Sequence, residues 1–592
     1  MRPFDWIVLG ASLAFIVIYG LWRGRGNRDL HGYFLAGRSL PWYTIALSIM
    51  ATQASAITFL STPGQAYVDG MRFVQFYFGL PLAMIVIAAI MVPMYRRMNV
   101  ITAYEYLEGR FDGKTRSLAA LLFLVQRGLA AGLTIYAPSL ILSVLLGWNL
   151  YWTNLIIGVL VVTYTASGGT RAVNHTQFQQ FLIILGGMGV AFVLIFAGLP
   201  SNVGVGDAVA VAGTLGRLNA IDPGFDPANR YNLWSGLIGG FFLQLSYFGT
   251  DQSQVGRYLT GRSVAQSRLS LLFNGIVKIP MQFGILFLGA MVFVFYQFAP
   301  PPLFFNPGEV RKIESSPHAA EFAAIESRHA GAVERRRERI DALIDARHRG
   351  AVVEVEAAEV SLREAQAGVM EVRDEAVVLI KRNDPGAQTS DTNYIFLTFV
   401  LDHLPVGVVG MVLAAIFAAS MSSTAAELNA LASTTVVDVY RRLRRRRAPP
   451  TPLPTVARPD PDIPDLEKLA LDARDRHEVR VSKWSTLLWG AFAIGFAEFA
   501  NRLGSLIEAI NILGSLFYPT ILGIFLAAFL LKRVGGHAVF AAALIAQAVV
   551  VYLYLFTGIA FLWYNLACLL VMALAVLFQG FIDAARPRAA AG

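Results

Sequence analysis

Charge-poor apolar runs of roughly 20 residues recur along the whole of this chain, and about 20 residues is what a helix needs to cross a hydrocarbon core about 30 Å thick. Inside such a core every backbone polar group must find its partner within the protein, so only helices and closed barrels span it. The runs are continuous rather than alternating, which predicts helices. Spans are expected near 4–22, 41–62, 73–95, 117–146, 150–167, 178–199, 232–254, 271–298, 404–438, 484–501, 505–531, 537–557 and 560–582. That is about thirteen transmembrane helices, an all-α polytopic membrane protein. Charged residues supply 15% of the chain and hydrophobic ones 55%. Soluble domains carry about 25% charge, so the polar residues here are too few to clothe a soluble surface.

The first run, Trp6 to Trp22, starts near the N-terminus but is long, lacks a small-residue cleavage site, and is followed by Arg23, Arg25 and Arg28. It reads as a retained helix with its N-terminus outside rather than as a secretory signal. Short inner loops should then hold the Lys and Arg. They do: Arg23 to Arg38, Arg96 to Arg116, Arg171, Arg257 to Arg268, Arg441 to Arg447, and Lys532 with Arg533. The expected outer turns near 64–72, 147–149 and 557–560 carry only Arg72. The net charge of +9 is thus topological and does not signal a nucleic-acid partner. A multi-pass protein of the cell membrane with a cytoplasmic C-terminus is expected. Cys568 is the single cysteine, so no disulfide forms within the chain and no cysteine cluster holds a metal.

Two segments lie outside the membrane on this reading. Residues 300–391 are polar and Ala-rich on both sides of Gly350 and predict a two-helix outer hairpin, a solvated spacer with no chemistry of its own. Its many arginines are compatible with that side, because loops beyond about 60 residues translocate largely regardless of charge. Residues 441–483 open with the arginine cluster and continue through prolines from Pro449 to Pro464. They predict an inner linker, and arginines beside a membrane also suit anionic lipid.

Function is expected where polar residues interrupt the apolar runs, since broken helices at membrane depth are tolerated only when buried or lining a cavity. The second span carries Ser48-Ile49-Met50-Ala51-Thr52-Gln53-Ala54-Ser55-Ala56-Ile57-Thr58 and then Thr62-Pro63-Gly64. Close helix packing would select the same small residues. The ninth span is more telling. Ala419, Ser422 and Ser423 stand at i, i+3 and i+4 and so share one helix face. Two hydroxyls and a nearby carbonyl then point the same way, and neutral oxygens suit an alkali ion that has to be released again.

With these motifs the sequence resembles the sodium/solute symporter family, which includes sodium–glucose, proline, iodide and monocarboxylate carriers. The resemblance runs from Tyr33-Phe34-Leu35-Ala36-Gly37-Arg38 to about Phe529, leaving out the hairpin. It is carried by the Ser48 to Gly64 segment, by Gly249-Thr250-Asp251-Gln252 with Arg257-Tyr258-Leu259-Thr260 and Ser263, and by the Ala419 to Asn429 segment. It implies a core of two inverted five-helix repeats like the bacterial leucine transporter, starting at the second span. Residues 1–299 would hold the extra first helix and core helices one to seven, 392–531 core helices eight to ten, and 532–592 two further helices and a tail.

The resemblance implies a sodium site between core helices one and eight, formed by the carbonyls of Ala51, Ala54 and Ala419 and the hydroxyls of Ser422 and Ser423. Matching the sugar carriers puts Thr58, Gln244, Lys278 and Asn511 at solute-contacting positions and Tyr247 at an aromatic gate. Thr58 stands where they have glutamine, and Phe73-Val74-Gln75-Phe76-Tyr77-Phe78 lacks their acidic residue. Those departures argue against sugar, while Ala56-Ile57-Thr58-Phe59-Leu60 with Pro63 and Tyr67 looks closer to the monocarboxylate and iodide branch.

Charges at membrane depth are costly unless paired or wet. Two readings of Lys278 stay open: snorkelling to the inner interface, or lining the solute path. Arg127, Asp251 and Glu427 read as structural partners in the bundle or, in a proton-coupled carrier, as a relay. The reading as a whole is a sodium-coupled symporter for a small organic solute, with Na+ as coupling ion, no organic cofactor, and the lipid bilayer as its setting. No nucleophile elbow, phosphate loop or metal-ligand cluster points to an enzyme, and no filter repeat points to a channel. With the chain ending at Gly592, no fused signalling module is expected. The solute, the sodium stoichiometry and the oligomeric state stay open.

Overall fold

Backbone in hydrocarbon has to bond to itself. The computed structural model, which describes residues 2–23, 40–98, 100–447 and 465–585, is accordingly helical, and its one β pairing among those residues is an isolated bridge between Leu40 and Gly261. The Tyr33 to Arg38 motif, Arg25, Arg28 and the prolines from Pro449 to Pro464 lie outside the described residues. The main helices are α1 Pro3–Arg23, α2 Trp42–Gln53, α3 Ala56–Asp69, α4 Gly113–Leu146, α5 Leu150–Ala197, α6 Gly240–Thr250, α7 Gln252–Tyr258 and α8 Val264–Phe298. They continue as α9 Ala319–Arg349, α10 Val352–Asn383, α11 Thr392–His403, α12 Val408–Thr434, α13 Asp465–Ala497, α14 Leu506–Leu530, α15 Gly536–Phe556 and α16 Ala567–Ala585.

Seven stretches among the described residues are long and apolar enough to cross a membrane: Ala56–Arg97, Gly113–Leu146, Val264–Phe298, Val408–Arg444, Leu506–Leu530, Gly536–Phe556 and Phe561–Ala584. The other expected spans correspond to α1, to the pair α2 and α3, to the two apolar ends of α5, to the pair α6 and α7, and to α13, whose N-terminal half is charged. Helix crossings are close where glycine allows it. On α8, a Cβ at Gly289 would stand 2.3 Å from the carbonyl oxygen of Pro63 on α3.

Helix ends fall at two levels. At one, arginines tie them together: Arg110 Nη2 donates to Leu531 O at 2.6 Å, Arg116 pairs with Asp438 at 2.6 Å, and Arg441 pairs with Glu478 at 2.5 Å. At the other, Asp5 Oδ1 accepts from Gly407 N at 2.6 Å and from Gly410 N at 3.2 Å. Asp5 on the first helix thus belongs to the second level. Gln579 on the last helix, which accepts from Gly535 N at 2.9 Å, belongs to the arginine level.

One element departs from expectation. Spans 150–167 and 178–199 are expected as separate helices around a loop at Arg171, yet α5 is assigned as one helix of 48 residues. Straight, it would measure about 72 Å, more than twice the hydrocarbon thickness. Its ends forbid that. Asn154 Nδ2 donates to Glu498 Oε1 at 3.0 Å, Gly187 abuts Val412 and Ala415, and Gly198 abuts Phe295. Both ends therefore sit at the level away from the arginines.

Residues 300–391 form a helical hairpin. α9 and α10 pair through buried Ile325, Ile340, Leu343, Leu362, Val369 and Leu379, and reverse at Gly350, whose φ of +69° favours glycine. The hairpin is fastened to the bundle by polar contacts as well as by packing. Arg336 Nη2 donates to Tyr296 O at 3.1 Å, Arg337 lies 4.2 Å from the centre of the Phe298 ring, and Arg363 Nε donates to Thr214 O at 3.1 Å.

Candidate cation and solute site

Between α2 and α3 the chain leaves the helix at Ala54 and Ser55. The Ala54 amide bonds back to Met50 O at 2.8 Å, and Ser55 Oγ accepts from Thr58 N at 3.4 Å, a side-chain cap that starts α3. The last carbonyls of α2 are left without intrahelical partners, and the negative end of that helix points into the bundle.

Against this end stands the face of α12 expected from spacing. Ser422 Oγ donates to Ala51 O at 3.4 Å, and Ser423 Oγ donates to Thr52 O at 3.0 Å. Ala51, Ala54 and Ala419 have no exposed surface. Of the five residues expected at a sodium site, Ser422 thus contacts Ala51 and Ser423 contacts the next carbonyl, of Thr52, while Ala54 is at the break itself and Ala419 is one turn earlier on the serine face. Thr52, whose carbonyl takes the Ser423 bond, is not among the expected ligands.

Beside the break lies a cavity of about 100 Å³. Thr58, Gln244, Lys278, Asn511 and Tyr247, the residues expected along the solute path, all line it, and so does Ser423. Thr58 Oγ1 donates to Gln53 O at 3.0 Å, which ties the wall to the break, and Asn511 Nδ2 donates to Ile507 O at 2.7 Å. Tyr247 accepts from Gln254 Nε2 at 2.6 Å and packs 6.0 Å from the Tyr518 ring.

Lys278 is buried at 1% exposure. The snorkelling reading places it within two turns of a helix start near 271. α8 instead begins at Val264, which puts Lys278 about 21 Å along the helix and out of reach of its end. Its ammonium lies 5.4 Å from the centre of the Tyr77 ring.

Arg127, Asp251 and Glu427 form one buried network. Arg127 Nη1 donates to Glu427 Oε1 at 2.9 Å, while Nη2 donates to Asp251 Oδ2 and to the Tyr518 hydroxyl. Tyr518 in turn donates to Asp251 Oδ2 at 2.7 Å. Asp251 also marks a second broken helix that the span near 232–254 does not anticipate. α6 ends at Thr250, and Asp251 Oδ1 caps α7 by accepting from Ser253 N at 2.8 Å. The signal for it is the Thr250-Asp251-Gln252 triplet inside an apolar run, with Asp in the role of a cap. Tyr518 has no such signal, since only the fold brings it to Arg127.

A model of the sodium:solute symporter family matches residues 33–326 and 373–451, more than half of the chain. The chain belongs to the sodium:solute symporter family. It is similar to the sodium/iodide cotransporter of Homo sapiens, 32% identical over 302 residues that cover 50% of this chain and 46% of that protein. It is similar also to the sodium-dependent multivitamin transporter of Oryctolagus cuniculus, 32% identical over 298 residues (50% and 46%). The human sodium-coupled monocarboxylate transporter 1 is 34% identical over 273 residues (46% and 44%). The chain thus spans about half the length of the curated relatives it matches. Among solved structures, a Na+-coupled sialic acid symporter superposes with a TM-score of 0.70 at 20% identity over 98% of both chains; the two share a fold. Residues 327–372, between the two matched stretches, hold most of the α9 and α10 hairpin.

Proposed function

We propose that this family member is a sodium-coupled secondary active symporter that imports a small organic solute across the cell membrane by alternating access. The observation that carries the reading is the double placement of Ser423, whose hydroxyl meets the α2 carbonyl end and whose side chain also lines the cavity. A sodium ion would take the carbonyls of Ala51, Ala54 and Ala419 and the hydroxyls of Ser422 and Ser423, oxygens of the kind a hard cation prefers. The negative end of α2 favours a cation there. Thr58, Gln244, Lys278 and Asn511 would hold the solute, with Tyr247 as the gate over it.

Bound sodium fixes the α2–α3 break against α12, and that break forms one wall of the cavity, so the ion preorganises the solute site. The coupling is reciprocal, and 1–3 kcal/mol is typical for linked sites. Rocking of the two repeats then releases both on the inner side. In this reading residues 300–391 are an outer insertion, residues 441–483 an inner linker, and the arginine level of the bundle faces the cytoplasm.

Ser423→Ala tests the proposal, because it removes one oxygen while keeping a good helix former. Losing one buried polar contact costs about 1–3 kcal/mol, or roughly a five- to hundredfold weakening of sodium affinity. Solute uptake by proteoliposomes, titrated with sodium at constant pH, should show that loss and recover at high sodium. A sodium dependence equal to that of the parent protein removes Ser423 from the mechanism.

A further inference from the structure

Two cations, Arg127 and Lys278, line the cavity together with Glu427, and they are treated differently. Arg127 is held by Asp251, Tyr518 and Glu427. Lys278 meets only the Tyr77 ring, 5.4 Å away, with no carboxylate in ion-pair range among the described residues. An ammonium kept from water is expensive, and a desolvated ring face returns about 2 kcal/mol or somewhat more, less than the charge loses. Such a group at membrane depth is a place for a ligand. The cavity is lined also by Phe76, Leu243, Ile507 and Ile510, which offer apolar surface and no charge.

The geometry points to a small organic monocarboxylate as the solute, its carboxylate on Lys278 Nζ and its short apolar body against Phe76, Leu243, Ile507 and Ile510. This rests on the reading of the cavity as a solute site. A hydroxyl group can accept a hydrogen bond from Lys278 but leaves its charge uncompensated; a carboxylate does both. The charges also balance with the proposed ion. Arg127 and Lys278 cancel Asp251 and Glu427, so a bound monocarboxylate leaves one negative charge, and one sodium ion beside Ser423 cancels it. Each ligand then improves the electrostatics for the other, and the coupling is one to one in charge.

The test uses the full chain purified in detergent, with its thermal unfolding midpoint followed at fixed pH and saturating sodium. Butyrate is compared with butyramide, which has the same shape without the charge. Butyrate should raise the midpoint saturably, and butyramide should bind at least tenfold more weakly. Lys278→Gln should weaken butyrate at least tenfold and Lys278→Arg should recover part of it, while both keep the shift induced by sodium alone. Lys278→Met, of similar length and uncharged, replaces the Gln variant should that one not fold. Equal binding of acid and amide, or an unchanged butyrate affinity in the uncharged variants, overturns the proposal. So does a lack of response to propionate, butyrate and benzoate in protein that still responds to sodium, and in that case the symport reading stands. Absence of any sodium response in the parent protein overturns the symport reading instead.

Discussion

Asp251 accepts from three donors in the core: Arg127, the Tyr518 hydroxyl at 2.7 Å and the Ser253 amide at 2.8 Å. Asp251→Ala would leave Arg127 short of a counter-charge in a dry setting and uncap α7 as well. Breaking a buried pair from one side costs about 3–5 kcal/mol. Tyr518→Phe removes a single hydroxyl, for about 1–3 kcal/mol. The thermal midpoint of the detergent-solubilised protein should therefore fall much further for Asp251→Ala than for Tyr518→Phe. Equal midpoints for Asp251→Ala and the parent would mean that the network contributes nothing to the fold. The shared face of Ala419, Ser422 and Ser423 was legible because they stand at i, i+3 and i+4 of a helix. Tyr518 was not, because nothing local distinguishes it from other aromatics in an apolar run.

Among the elements, the hairpin carries its own titratable core. His329 on α9 is buried, and that burial, with the charges of Arg336 and Arg373, lowers its pKa from 6.5 to about 4. Folding thus favours the neutral ring. The resulting stability is complete above about pH 6.5 and is lost as the pH falls toward 4, where the ring takes up a proton among apolar and cationic neighbours. Amide exchange across α9 and α10, corrected for its intrinsic pH dependence, should accelerate over that window, and less so in His329→Gln. The same acceleration in both would exclude His329 as the cause. The second broken helix at Asp251 shows the limit of reading elements from hydropathy. A run of apolar residues reports that backbone is buried, but a bend or a break is set by which neighbours receive its free carbonyls and amides.

For the whole molecule, the helix ends sort into two levels, with Asp5 at one and the Gln579 contact at the other. The basic residues Arg110, Arg116 and Arg441 cluster at the second. The N-terminus is accordingly expected outside and the C-terminus inside. Reporters active on only one side of the membrane, fused at each terminus, should give opposite signals; the same signal from both would rule the arrangement out.

Hydropathy determined by itself that this chain is a helical membrane protein, because the cost of burying charge and free backbone in hydrocarbon acts on every residue alike. Helical period likewise put Ser422 and Ser423 on the face of Ala419, at i+3 and i+4. Only the tertiary structure decided that this face meets the carbonyl end of α2, that Ser423 also belongs to the cavity, and that Lys278 is buried beside Tyr77 while Arg127 is fully engaged. Those outcomes depend on contacts between residues hundreds of positions apart, and such contacts are fixed by how helices pack, which no local pattern encodes.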